Sequence, residues 1–124
     1  MIIQIDFNSE EALYIQLRNQ IILGIATCKL REGDVLPSVR QLAEEIGINM
    51  HTVNKAYGVL RQEGFVKVDR RHGAVIAIDM DHIRDLEEMR EELRVTLAKA
   101  SCKNISRARV HALIDEIYEG YGGL

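Results

Sequence analysis

The sequence has no tryptophan, one proline and two cysteines, and each shortage excludes something. Cys28 and Cys102 lie far apart and lack C-x-x-C spacing, so no disulfide framework and no paired-cysteine metal or redox motif is expected. Both read as reduced thiols of a cytoplasmic protein, with a bridge between them left open by the sequence. With Pro37 the only proline, there is no proline-rich linker. No apolar run approaches the roughly 18 residues of a membrane span. The opening Met1-Ile-Ile-Gln-Ile reaches Asp6 too soon for a signal peptide, so a cytoplasmic chain without a membrane partner is expected.

Catalytic signatures are missing too. There is no Gly-rich phosphate loop, H-E-x-x-H or G-x-S-x-G. His51, His72, His82 and His111 fall on four different predicted elements, and their spacing with Cys102 matches no metal-ligand pattern. Glu87, Glu88, Glu91 and Glu92 read as a solvated helix face. The expectation is therefore no enzyme, no cofactor and no metal.

What is present is concentrated between Gly33 and Gly64. Ser38 with Gln41 forms a capping-box pattern after Pro37, and Leu42, Ala43 and Ile46 give an apolar stripe. This predicts a helix from about Ser38 to Ile46, closed by Gly47 in a left-handed cap. Asn49 is a candidate N-cap for a second helix running to about Gln62, with Val53, Ala56, Tyr57 and Leu60 facing inward. Two helices across so short a turn make a helix-turn-helix. The outer face of the second carries His51, Thr52, Asn54, Lys55 and Arg61, side chains able to reach base edges and phosphates.

After Gly64, the strand formers Phe65, Val66 and Val68 precede Arg70-Arg71-His72-Gly73, and Val75, Ile76 and Ile78 follow. This predicts a β-hairpin with a basic tip. Helix-turn-helix plus hairpin is a winged helix, and a tip of Arg-Arg-His suits phosphate. The pair points to double-stranded DNA more strongly than either piece alone.

These residues closely resemble the GntR family of bacterial transcription regulators, and more narrowly its YtrA-type subfamily. The resemblance covers roughly residues 5–78. It is carried by Leu36, Pro37, Ser38, Arg40, Leu42, Ala43, Gly47, Asn49, Thr52, Val53, Lys55, Ala56, Tyr57, Leu60 and Gly64. Some positions depart from the pattern. Asn49-Met50-His51-Thr52 stands where the subfamily usually reads Asn-Pro-Asn-Thr, and other members carry arginine at the positions of Met50 and Asn54. Arg71 occupies the first of two usual wing glycines, leaving only Gly73. The resemblance implies sequence-specific regulation, most often repression, and a short helical C-terminal segment that dimerises.

Net charge over the 124 residues is −3, but its distribution is uneven. Residues 35–76 hold six Lys/Arg against four Asp/Glu, while residues 1–34 hold three against five and residues 77–124 seven against ten. The basic excess is confined to the reading head, and the acidic remainder would orient docking on a duplex.

The N-terminal stretch predicts an extended lead over residues 1–7, then a helix starting at Asn8 or Ser9 through an N-x-x-E cap with Glu11. Leu13, Leu17, Ile21 and Ile25 form its core stripe, with Tyr14, Ile22 and Cys28 beside them. Leu13-Tyr14-x-Gln16-Leu17 matches the family's opening, with Ala12 where proline is common. Ala12 is expected to continue the helix.

From Asp79 or Asp81 a charged helix runs to about Ala100, and a second runs from Asn104 or Ser106 to about Glu119. Ile83, Leu86, Met89, Leu93 and Leu97 line one face of the first, close to a heptad; Leu113 and Ile117 line the second. An isolated helical pair leaves an apolar face unburied. The preferred reading is a homodimerisation segment, over a cap on the same chain's winged helix.

The expectation is thus an α+β, mostly helical protein: a winged helix-turn-helix domain, residues 1–78, followed by a two-helix dimerisation segment, residues 79–124. Its candidate DNA contacts are Ser38, Arg40, Asn49, His51, Thr52, Asn54, Lys55, Arg70, Arg71, His72 and Gly73. His51 and Asn54 are assigned to base edges, Thr52 and Lys55 to phosphate, Arg40 to a phosphate or a base near it, and Tyr57 to the core or its edge in preference to a phosphate contact by its hydroxyl. The rival classes are a winged-helix protein–protein adaptor and a regulator sensing a small-molecule effector at the dimer hairpin. The sequence names no effector.

Overall fold

The computed structural model describes residues 3–122. The chain divides into two compact units, one ending at Asp79 and one beginning at Met80. The first holds α1 (Leu13–Ala26), α2 (Val39–Ile46), α3 (Met50–Gln62) and an antiparallel pair, β1 (Val66–Asp69) with β2 (Gly73–Ile76). The second holds α4 (His82–Cys102) and α5 (Arg107–Gly120). The architecture is α+β and mostly helical, with a winged helix-turn-helix in the first unit.

The core of that unit is where the apolar stripes converge. Leu17 and Ile21 of α1, Leu42 and Ala43 of α2, and Val53, Ala56, Tyr57 and Leu60 of α3 are buried together with Leu36, Val66 and Ile76. Each fully buried Leu, Ile or Val contributes about 1.5–3 kcal/mol of hydrophobic transfer. Helix α3 is the hub, packing on α1, α2 and β1. Its outward face is thereby fixed relative to everything else in the unit.

The first helix starts later than its sequence suggests. Its N-cap residue is Ala12, at φ −56° and ψ 139°, with no side-chain cap. Ala12 therefore does not continue the helix; its φ lies in the range that proline's ring imposes, which accounts for proline being common there. The Asn8, Ser9 and Glu11 signals act in a turn instead. The Asp6 carboxylate accepts from the Asn8 N–H at 2.9 Å, and the Ser9 hydroxyl from the Glu11 N–H at 3.1 Å. Gln16 ties this turn to α1. Its Oε1 accepts from the Asp6 N–H at 2.9 Å, and its Nε2 donates to the carbonyls of Asp6 and Glu11 at 3.1 and 3.0 Å. Gln4 and Gln20 hydrogen-bond reciprocally, holding the lead against α1. Met1 and Ile2, at the start of the expected lead, lie outside the described residues.

Cys28 is a second correction. It does not pack in the stripe: it is exposed and sits past the helix end in the left-handed region, φ 62°. The Lys29 N–H returns to the Gly24 carbonyl at 2.9 Å, closing the last turn as a Schellman-type cap.

The helix-turn-helix is built by local signals. Ser38 Oγ accepts from the Gln41 N–H and Gln41 Oε1 from the Ser38 N–H, both at 3.1 Å, completing the capping box. Gly47 closes α2 at φ 79°, where a side chain would be strained. Asn49 Oδ1 accepts from the His51 N–H at 2.7 Å and opens α3.

The hairpin pairs Val66 with Ile76 and Asp69 with Gly73. A third segment joins it, unanticipated from the sequence: Val35 bridges Val75, and the Leu36 N–H donates to the Ala74 carbonyl at 2.8 Å. The wing is thus sewn to the segment that leads into α2.

In the second unit, Asp81 caps α4 and Ser106 caps α5 through their side chains. Asn104, at φ 58°, makes the turn between them. Asparagine tolerates that conformation better than most residues. The two helices do not pack side by side, and none of their described residues is buried.

Candidate nucleic-acid interface

One side of α3 is committed to the core, which leaves the other for a partner. At 3.6 residues per turn, positions 51, 54, 55, 58 and 62 share the side opposite Val53, Ala56, Tyr57 and Leu60. His51, Asn54, Lys55, Gly58, Arg61 and Gln62 are all exposed, and Thr52 is half-buried at the edge of that face. A helix about 10–12 Å across presenting short polar side chains fits the roughly 12 Å major groove of B-form DNA.

The candidate residues are not equally available. Ser38 and Asn49 each spend a side-chain oxygen on a helix cap. The Ser38 hydroxyl proton and the Asn49 amide N–H groups remain to donate outward. Arg40 is exposed in the first turn of α2 and forms no ion pair among the described residues. Lys55 folds back, its Nζ 4.1 Å from the centroid of the Tyr14 ring. A cation held over an aromatic face is kept near the helix surface rather than swinging freely. The part played by Tyr14 was not legible from spacing, because it depends on how α1 crosses α3.

Tyr57 belongs to the core. It is 8% exposed, and its hydroxyl donates to the Pro37 carbonyl at 2.8 Å. Burial first, then the charge of Glu45, pushes its ionisation well above the ordinary tyrosine range.

At the wing tip, Arg70, Arg71 and His72 are exposed. Asp69 organises them: its carboxylate accepts from the Arg71 N–H at 2.7 Å and meets His72 Nδ1 at 3.3 Å. The Arg71 N–H and the His72 ring hold the Asp69 carboxyl below the usual carboxylate range. Gly73 takes φ 83°, while Arg71 is not among the residues at positive φ. The tip therefore needs one glycine, and Arg71 adds a charge at no backbone strain. Lys67, exposed on β1 and outside the expected contact set, adds another cation to the wing.

No helix is long and apolar enough to cross a membrane among the described residues.

Residues 9–76 match the bacterial regulatory proteins of the gntR family. Over 118 residues the chain is 31% identical to the HTH-type transcriptional repressor YtrA of Bacillus subtilis (strain 168), spanning 93% of this chain and 91% of that protein. The solved structure of YtrA from Sulfolobus acidocaldarius, a GntR-family transcription factor, is similar with a TM-score of 0.69 and 40% identity, covering 82% of this chain and 99% of that one. The crystal structure of a transcriptional antiterminator from Listeria monocytogenes EGD-e is similar over the whole chain and 96% of its own, with a TM-score of 0.89 and 26% identity.

Proposed function

The chain belongs to the gntR family of bacterial regulatory proteins as a YtrA-like, DNA-binding transcription regulator, and from that premise we propose that it is a repressor that holds an inverted-repeat operator as a homodimer. The observation that carries the reading is the exposed face of α3, flanked by Arg40 and by the cations of the wing.

On this reading His51 and Asn54, in the first turns of α3, meet base edges in the major groove. Asn49 lies at the groove edge, Ser38 and Thr52 donate to phosphate, and Arg40 donates to a phosphate or a base beside it. Lys55 reaches the same strand from its seat on Tyr14. Arg70, Arg71 and His72 follow the neighbouring phosphates, with Gly73 shaping the turn that carries them. The reading domain spans residues 1–78 and the dimerisation segment residues 79–124.

The dimer is supported by apolar side chains that stay exposed on α4 and α5 among the described residues. Ile83 is 81% exposed, Leu86 59% and Leu113 54%; Met89, Leu93, Leu97 and Ile117 are also exposed. Pairing with a second copy would bury them. Two copies would set two α3 helices in successive major grooves, on half-sites roughly 10 bp apart or somewhat more. A repressor of this type works in the cytoplasm, where its DNA is.

The test is selection of duplexes from a random pool by the purified chain at two salt concentrations. The expected result is enrichment of an inverted repeat, weakened by salt. Absence of duplex binding at either concentration would sink the proposal and favour a protein partner for the α3 face.

A further inference from the structure

Gly58 sits in the third turn of α3 and has no structural reason to be glycine. Its φ is helical, so the backbone does not require it. A methyl group there would meet nothing within 4 Å, so packing does not require it either. Glycine inside a helix is less stable than alanine, since it loses more backbone freedom on folding. Stability alone would have replaced it.

Its place on the helix suggests what it is for. Gly58 lies two turns beyond His51 and one beyond Asn54, near the centre line of the exposed face. Lys55 precedes it by three residues and Arg61 follows it by three, both exposed. A surface suited to lie between these two cations would be anionic. The missing side chain lets that surface reach the helix backbone itself.

We propose that Gly58 is a clearance position, at which the sugar–phosphate backbone at the rim of the groove packs directly against the third turn of α3. This rests on the reading of α3 as the groove-bound helix. It adds that seating depth is set by an absent side chain rather than by a contact. A residue at 58 would lift the helix outward and weaken the contacts of His51 and Asn54 together.

The experiment compares the full-length chain with Gly58→Ala and Gly58→Gln. The probe is the duplex that the unaltered chain enriches from a random pool. Both variants should melt a few degrees higher than the unaltered chain, because alanine and glutamine are better helix formers. Both should bind the duplex more weakly, about tenfold for alanine and more for glutamine, in the order of side-chain size. Equal affinity for all three chains would overturn the clearance role while leaving α3 as the reading helix. A lowered melting temperature would also overturn it, since the glycine would then be structural. Failure of the unaltered chain to enrich any duplex would overturn the DNA assignment of α3 and the inference with it.

Discussion

Replacing Tyr57 by phenylalanine separates a structural hydroxyl from a DNA-contacting one. The ring stays and one oxygen goes. That oxygen donates to the Pro37 carbonyl at 2.8 Å, across 20 residues of chain, and ties the middle of α3 to the start of α2. The Pro37 carbonyl would be left half-buried with no donor among the described residues. A lost hydrogen bond plus an unsatisfied acceptor costs about 1.5 kcal/mol. For a cooperative unit of this size, roughly 4–8 °C of Tm per kcal/mol gives a fall of about 6–12 °C. Scanning calorimetry of the full chain reads it directly. A second sign follows from ionisation. The folded state holds Tyr57 protonated above the ordinary tyrosine range, whose value is near 10. Its contribution is full below about pH 10 and falls above it, where only the unfolded chain ionises. The alkaline loss of stability should therefore be shallower in Tyr57→Phe. An unchanged Tm with a tenfold weaker duplex complex would refute the reasoning and move the hydroxyl onto a phosphate.

Arg40→Ala should weaken binding to every duplex by about 1 kcal/mol or more and lower the salt slope by about one, as a phosphate contact requires; unchanged affinity in a titration removes it from the interface. Cys28→Gly should raise stability by about 0.5–1 kcal/mol, the relief of a left-handed side chain less the added freedom of the unfolded glycine; a urea midpoint that falls would contradict that. Leu93→Glu with Leu97→Glu should leave the reading domain folded and give a monomer by light scattering at micromolar concentration, where the unaltered chain is expected to give a dimer. A dimer in both would move the interface elsewhere.

The parts legible in the sequence were those specified by neighbouring residues. Ser38 with Gln41, Gly47 and Asn49 each act within three or four positions, and each sits where its local chemistry puts it. The basic wing tip was equally local. The parts missed depend on distant chain. Asn8 and Glu11 read as a helix start, yet Gln16 claims the carbonyls of Asp6 and Glu11, and the helix waits until Leu13. Val35 carries no signal for a bridge to Val75 until the hairpin is in place. Lys55 reads as a free cation until α1 brings Tyr14 beneath it. Cys28 fits the apolar spacing, but α1 ends at Ala26 and the spacing no longer applies.

Among its described residues, the second unit has no interior of its own. Helix α4 has 21 residues and α5 has 14, neither with a buried residue; α5 lies in the range where isolated helices are marginal in water, and both lack the tertiary packing that supplies most helical stability. On the proposed pairing of two copies, their order would be a function of how much partner is present, because association with the ordered form would tip the balance. For a chain that pairs with itself, dilution and unfolding of α4 and α5 become one event, while α1 to α3 keep their core. The amount of protein in the cell would thus act as a control input: below a threshold, single reading heads remain that are too weakly held to occupy a two-part site.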